Sequence, residues 1–322
     1  MFNRRDIVVT GLGAALGLPP GHAQSAWPEK PVKVVVFFPA GGASDVLTRL
    51  LAEKLASYFN QTFTIENKTG AGGNIGMVAV MNSAADGYTM GSATIGTLSI
   101  NQFLYSKLGY EPAKDFAPVS TFWENCNVFA VSADHPAKTL EEFKTWAKAQ
   151  PKGVTFSSSG VGTTPHLAGE MFGLKSGIQV VHVPFRGSAN TEVIAGTIDF
   201  AIDNLASYSS LLRAGRARAL AVTSADRWPT FPQVPTMAEA GIPDFVITSW
   251  GAMVMPGATS PAITAKLSKA IQDILSQPAM KERFLQAGAR AIYASPADTA
   301  AFAAAERLKW KEVVRLSGAK LD

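Results

Sequence analysis

Between residues 34 and 55 the chain reads VVVFFPAGGASDVLTRLLAEKL. A β-branched run ends in Phe37-Phe38-Pro39 and crosses Gly41 and Gly42. It then becomes a stretch with Val46, Leu47, Leu50, Leu51 and Leu55 at helical spacing. The pattern predicts a buried strand, a tight turn and an amphipathic helix over 46–59. A turn of this kind leaves backbone N–H groups free at the start of a helix, where they attract anions. Asp45 at the same place is a conflict, because a carboxylate beside a bound anion costs energy in a dry cleft. Two arrangements remove it: Asp45 caps its own first turn, or waters bridge it to the ligand and hold the two apart.

The alternation continues along the chain. VKVVVFF, TFTIEN, YTMGSAT, NVFAVS, VTFSSS, VVHVPF, IDFAIDN and ARALAVTS are separated by helical patterns, among them 77–83, 140–149 and 166–172; the tail returns to helices over 261–276 and 297–316. Apolar strands alternating with helices indicate an α/β protein whose sheets are mostly parallel and covered on both faces. Two stretches break the rhythm, 110–120 and the proline-dense 225–243, and each marks a crossing between lobes. The expected division is lobe 1 over 24–125 and 226–322, lobe 2 over 126–225, and a ligand cleft between them. PAGGASD (39–45) and PFRGSAN (184–190) share Pro, a Gly at the fourth place, small residues at the fifth and sixth, and Asp or Asn at the seventh. On that division they lie in different lobes, as a cleft gripping an anion from two sides requires. Two unrelated strand-to-helix turns would carry the same letters.

At 322 residues, with 47% hydrophobic and 17% charged, the chain can bury a large core and does not have the composition of a disordered one. Its formal charge of +4 is carried by scattered Lys and Arg, which gives no basic stripe for nucleic acid. The first 23 residues have the layout of an export signal: Arg4-Arg5, an apolar stretch from Ile7 to Leu18, then Gly21 and Ala23 before a cut. The apolar stretch is shorter than the ~20 residues of a membrane span. An exported, periplasmic protein that does not itself span the membrane is expected, using the general secretory route or, given the arginine pair, the twin-arginine one. The single Cys126 excludes an internal disulfide.

The required parts of several chemistries are missing. Gly41-Gly42 is followed by Ala43-Ser44, with no lysine for a nucleotide phosphate loop. TGAGGNIG has Ile75 where a dinucleotide fingerprint needs glycine, so this turn reads as packing. His135, His166 and His182 have no metal-ligand spacing, and no metal or other cofactor is expected. Ser158 and Ser159 lack the glycine of a nucleophile elbow, although either beside His166 would form the start of an exported serine hydrolase. The balance is against an enzyme.

Five segments, in order, carry a resemblance: FFPAGG (37–42) followed by Asp45, IENKTGAGGNIG (65–76), SSSGVGTTPHLAGEMF (157–172), HVPFRGSAN (182–190) and RALAVTSADRWPTFPQVPTMAEAGIP (218–243). From about Trp27 onward the chain resembles the solute receptors of tripartite tricarboxylate transporters, the Bug family. The resemblance implies a two-lobed periplasmic binding protein of the type II clamshell kind that closes on a small organic carboxylate. It implies a ligand wall of Phe38, Ala40, Gly41, Gly42, Asp45 and Thr94. The facing wall is Ser158, Thr163, Arg186, Gly187, Ser188, Ala189 and Asp203. Arg186 is the compensating charge, since a guanidinium keeps its charge when desolvated.

Where many members have Thr-His-Ala-Ile-Asn, this chain has TIGTLSIN (94–101), and Cys126 and Asn190 stand where Pro is frequent. An apolar sleeve of Phe38, Phe185, Ile95 and Trp123 would suit an aromatic acid of the benzoate or terephthalate type. The expected partners are that ligand and a membrane permease or a sensor kinase, and a monomer is the default. A surface module without a small ligand is the third alternative.

Overall fold

Alternating burial along short β-branched runs builds a mixed sheet whose two faces are covered by helices. The computed structural model describes residues 27–158, 160–185 and 189–321. In chain order the first elements are β1 (Val32–Val36), α1 (Ala43–Phe59), β2 (Phe63–Asn67), α2 (Asn74–Met81), β3 (Thr89–Thr94) and α3 (Asn101–Leu104). Next come β4 (Phe116–Ser132), α4 (Leu140–Lys148), β5 (Val154–Ser158), α5 (Thr164–Ser176), β6 (Val180–Pro184), α6 (Asn190–Ile194) and β7 (Phe200–Asn204). The chain ends with α7 (Leu205–Arg213), β8 (Ala217–Val222), β9 (Thr248–Pro256), α8 (Pro261–Ser276), α9 (Pro278–Gln286), β10 (Arg290–Ala294) and α10 (Pro296–Ser317).

The strand order is β2-β1-β3-β9-β4-β7-β5-β6, with β8 and β10 also on β4. Two parallel units, β2-β1-β3 and β6-β5-β7, have the same winding: the first strand is central and the next two flank it. Every antiparallel ladder involves β4 or β9, the strands joining the two units. β4 is long because it serves both. It pairs with β9 through Cys126 and with β7 from Asn127 onward.

Successive residues feed opposite cores, as the two-residue period of a strand demands. Val34, Leu51, Phe122, Met253 and Leu267 fill a cluster under α1, α8 and α9. Val35, Phe37, Phe129, Phe200, Trp250 and Trp310 form the cluster on the other face, continuous across both units. Val128, Ala201, Tyr208, Trp228 and Phe231 form the third, beneath α6 and α7. The expected helix over 46–59 starts three residues earlier, and Val46 is exposed rather than on the buried stripe with Leu47, Leu51 and Leu55.

Candidate functional site

The direction of the strands places the site. β3 runs against β9, and β9 against β4, so β1 and β3 point the same way as β4. β7 runs against β4, and β5 is parallel to β7. The carboxyl ends of the two parallel units therefore face each other along β4. Thr94, the last residue of β3, is level with Trp123 through their shared neighbour Gly251, and Asn204, the last of β7, is opposite Asn127. Four residues of strand separate those levels, ~13 Å at about 3.3 Å per residue. Ligands of open α/β sheets bind at such carboxyl ends, where connections leave in opposite directions and part to form a crevice.

On the first side, β1 ends in Phe37, which is buried, and Phe38, which is half-buried; Pro39, Ala40, Gly41 and Gly42 are at the surface. Gly41 has φ +81°, a left-handed conformation that costs other residues energy, although a Cβ at this place would meet nothing within 4 Å. Asp45 closes this turn. Its Oδ2 accepts from Gly41 N–H at 2.9 Å and from Arg49 Nε at 2.9 Å, and its Oδ1 accepts from Asn67 Nδ2 at 2.8 Å. Asn67 Nδ2 also donates to Phe38 O at 3.0 Å. Burial pushes the Asp45 carboxyl up, but the bonds from Arg49, Gly41 and Asn67 outweigh it and hold the group below its ordinary range. Both carboxylate oxygens are thus bonded within its own turn and to neighbouring side chains, the first of the two arrangements raised by the sequence. Thr94, at the end of β3, is tied by its N–H to Thr97 Oγ1 at 3.0 Å.

The glycine-rich turn 70–76 packs against this wall. A Cβ on Gly76 would lie 2.2 Å from Phe37 Cδ1, so the glycine gives the aromatic ring its place. Asn101 reaches back to the same turn, donating to Gly72 O at 3.1 Å and to Asn74 Oδ1 at 2.6 Å.

The second side repeats the first turn in other letters. Gly162 has φ +81°, like Gly41. The helix-start residues Gly42 (φ −72°, ψ 164°) and Thr163 (φ −73°, ψ 161°) have nearly the same backbone. Gly162 N–H donates to His166 Nδ1 at 3.1 Å, four residues on, as Gly41 N–H does to Asp45. The stretch 160–166 is therefore a structural counterpart of PAGGASD; the turn of PFRGSAN lies partly outside the described residues. Ser158 Oγ lies 2.6 Å from His182 Nε2, and Ser158 O accepts from Phe185 N–H at 2.9 Å. Thr163 Oγ1 donates to Gly160 O at 2.7 Å.

Asp203, buried near the end of β7, accepts from Asn204 N–H at 2.6 Å, yet burial pushes its carboxyl up to about 6. Ala189 is buried at the start of α6. Ser159, Arg186, Gly187 and Ser188 lie outside the described residues, as does the export segment.

The hydroxyl–imidazole pair differs from the expected one. Ser158 meets His182 rather than His166, and it is 1% exposed with its hydroxyl also bonded within the Gly160 turn. Two further residues of the sleeve belong to the cores: Ile95 and Trp123 are buried in separate clusters. Sequence reasoning missed Arg49 and Asn67, which tie Asp45, and the β4 asparagines. Asn125 and Asn127 are fully buried, and their side-chain atoms have no hydrogen-bond partner among the described residues. Their signal was present: asparagine at alternate places in ENCNVFAVS, within an otherwise apolar strand.

Among the described residues no helix is long and apolar enough to cross a membrane. Residues 47–318 match the family described as tripartite tricarboxylate transporter family receptor, TctC. The chain is 35% identical to Protein BugT of Bordetella pertussis (strain Tohama I) over 311 residues, 96% of this chain and 95% of that one. Among solved structures, R. palustris Rpa4515 with adipate is 34% identical with a TM-score of 0.86, covering 92% of this chain and 100% of that one. MatC (Rpa3494) from Rhodopseudomonas palustris with bound malate is 30% identical with a TM-score of 0.79, covering 89% and 100%. These likenesses give the α/β fold of periplasmic binding proteins, and non-enzymatic receptors as its setting. With its two strand–turn–helix walls facing across β4, the chain belongs to the tripartite tricarboxylate transporter receptor family.

Proposed function

We propose that this protein is a periplasmic receptor that captures a short organic dicarboxylate between its two turns and delivers it to a tripartite tricarboxylate-type permease. One observation carries the reading: the carboxyl ends of β1 and β3 face those of β5 and β7 across ~13 Å of β4, room for one small acid. The solved relatives holding adipate and malate support the diacid class. The contact set is the one expected from the sequence, with Asp45 fixing its turn rather than meeting the ligand. Export, by the general or the twin-arginine route, follows from the N-terminal segment.

The lobes are two units that hinge at β4 and β9. The first crossing is at Cys126/Asn127, where β4 changes partner. The packing of Trp228, Phe231 and Val234 with Val128 and Ala130 supports a return near residue 247, later than the expected 225. An aromatic acid is the second reading, favoured by the half-buried Phe38 and Phe185. It is weakened by the loss of Ile95 and Trp123 to the cores.

A thermal-shift and calorimetric panel tests both, after unfolding and refolding to remove carried-over ligand. Adipate or malate at a hundred times its Kd should stabilise by ~2.7 kcal/mol. Stabilisation by benzoate or terephthalate alone would replace the diacid with the aromatic reading, and silence across all carboxylates would refute the receptor function. Partner choice is read by pulling down the permease subunits or a sensor with the loaded protein.

A further inference from the structure

Two imidazoles stand behind the loop between β5 and α5. His166, on the first turn of α5, is 5% exposed, and His182, on β6, is half-buried. Their rings are 4.1 Å apart and 31° from parallel, and Phe156 stacks against both. The chemistry of His166 is fixed by its partner. A backbone N–H can only donate, so Nδ1, which receives Gly162 N–H at 3.1 Å, must carry a lone pair. His166 is therefore neutral, with its proton on Nε2. Its place in the turn is that of Asp45 in the other unit: one turn is closed by a carboxylate and its counterpart by a neutral imidazole.

His182 acts through Ser158, the joint of this wall. Ser158 Oγ lies 2.6 Å from His182 Nε2, accepts from Gly160 N–H at 3.1 Å and is 3.1 Å from Gly160 O, so its one proton goes to the imidazole or to that carbonyl. The Ser158 carbonyl holds Phe185, where the next loop begins.

We propose that His166 and His182 are positioning residues which hold Ser158 and the stretch 160–164 in their ligand-binding shape only while both imidazoles are neutral, so that ligand affinity is lost on acidification. The ligand part rests on the receptor reading above. Protonating His166 removes the acceptor of Gly162 N–H and places a charge against a second ring. The surroundings oppose such a charge: burial pushes both histidines down to about 4, and His182 adds to the effect on His166. Glu170, with Oε1 3.8 Å from His166 Nε2, is the one carboxylate within 4.0 Å of either ring among the described residues, and burial raises its own value. Asp199, at the far end of β5, is occupied by the N–H and hydroxyl of Thr155. β5 faces the rings with the uncharged Phe156 and Ser158.

The experiment has two arms on the full-length mature protein. In the first, histidine ring ¹⁵N and ¹³C resonances, assigned with H166N and H182Q, are followed from pH 8 to pH 4. Both rings should stay neutral to pH 5, with His166 protonated on Nε2. A ring titrating near 6.5, or His166 carrying its proton on Nδ1, would overturn the proposal. In the second, adipate binding is measured at pH 7.5 and pH 4 for wild type, H166N/H182Q and H166F. With each ring half protonated at pH 4, wild-type affinity should fall roughly two- to fourfold further than that of H166N/H182Q. The amide variant supplies carbonyl acceptors that do not titrate, while protonation of adipate itself affects both proteins alike. H166F, with no acceptor, should bind more weakly than the amide variant at pH 7.5. Parallel pH profiles for wild type and the amide variant would refute the link. Failure of wild type to bind any acid at pH 7.5 would instead fall on the receptor reading, and the ring titration would still decide whether the imidazoles hold the loop.

Discussion

Asp203→Asn should stabilise the protein at neutral pH and not at pH 4. Asp203 is 3% exposed, and among the described residues its hydrogen-bond donors are the main chain and side chain of Asn204, with no cation paired to it. Burial raises its carboxyl from 3.8 to about 6. The folded state thus binds the proton more tightly than the unfolded state, and stability falls as pH rises from 3.8 to about 6. Roughly two pH units correspond to about 3 kcal/mol of cost carried in full above the upper value. Asparagine keeps an oxygen for the Asn204 N–H and carries no charge, so the cost disappears. At roughly 2 °C per kcal/mol for a chain of this size, Tm should rise by about 6 °C at pH 8. The difference should close by pH 4. The slope left in the variant should include that of His166 and His182, each of which loses stability as pH falls from 6.5 to about 4. Scanning calorimetry of both proteins at five pH values gives the answer. An equal gain at pH 4 and pH 8, or a loss at pH 8, would refute the assignment of a strained carboxylate.

Gly41→Ala forces a left-handed alanine at about 1–2 kcal/mol and should weaken adipate binding, whereas Gly177→Ala, also at positive φ with open space but at the end of α5, should lower Tm alone. Equal affinities of the two in calorimetry would separate the first turn from the ligand. Asn67→Ala removes the amide that ties Asp45 to Phe38 O and should cost about 1–3 kcal/mol in urea unfolding at pH 7. Because the Asp45 carboxyl is held below 3.8, that loss should shrink as pH falls through its native value; a constant loss down to pH 2 would contradict the ionic part. Gly76→Ala drives a methyl to 2.2 Å from Phe37 Cδ1 and should cost about 1–3 kcal/mol, read as a lower urea midpoint with unchanged slope.

What the sequence showed depended on how local the cause was. α8 begins and ends where Ser260, Pro261 and the apolar spacing place it, and β1 and β2 follow from runs rich in β-branched and aromatic residues. β9 and β10 were missed. TSWGAMVMP contains glycine, alanine and methionine rather than a β-branched run, and it becomes a strand because β3 and β4 leave it no other hydrogen-bond partners. Only the last third of β4 was visible, since 116–126 includes Pro118 and two bulges that break the two-residue period. For the same reason antiparallel pairing at the junction could not be read: direction is a property of the partner, not of the strand. In the site, the glycine turn and Asp45 were legible as local chemistry. Arg49 and Asn67 were not, because an ordinary helix arginine and a strand-end asparagine acquire their meaning only when β2 returns beside β1.

The two units show a correspondence of turns that letters alone do not register. Pro, Gly and small residues record what a strand-to-helix turn demands of its backbone, wherever it occurs in the unit. In the sequence PAGGASD follows the first strand of one unit and PFRGSAN the second strand of the other. The structural correspondence seen among the described residues follows winding order. β1 and β5 are the central strands, so their turns open onto the crevice beside the ends of β3 and β7. What is repeated there is a geometry: a glycine at φ +81°, a residue in extended backbone, and a side-chain acceptor four residues after the glycine. On the proposed function, an acceptor at that place must satisfy one backbone donor without directing further charge toward a bound anion. Asp45 meets the condition by sharing its charge with Arg49 and Asn67, and His166 meets it by having none. The unlike residues thus answer one physical requirement, which an alignment of residue types does not register.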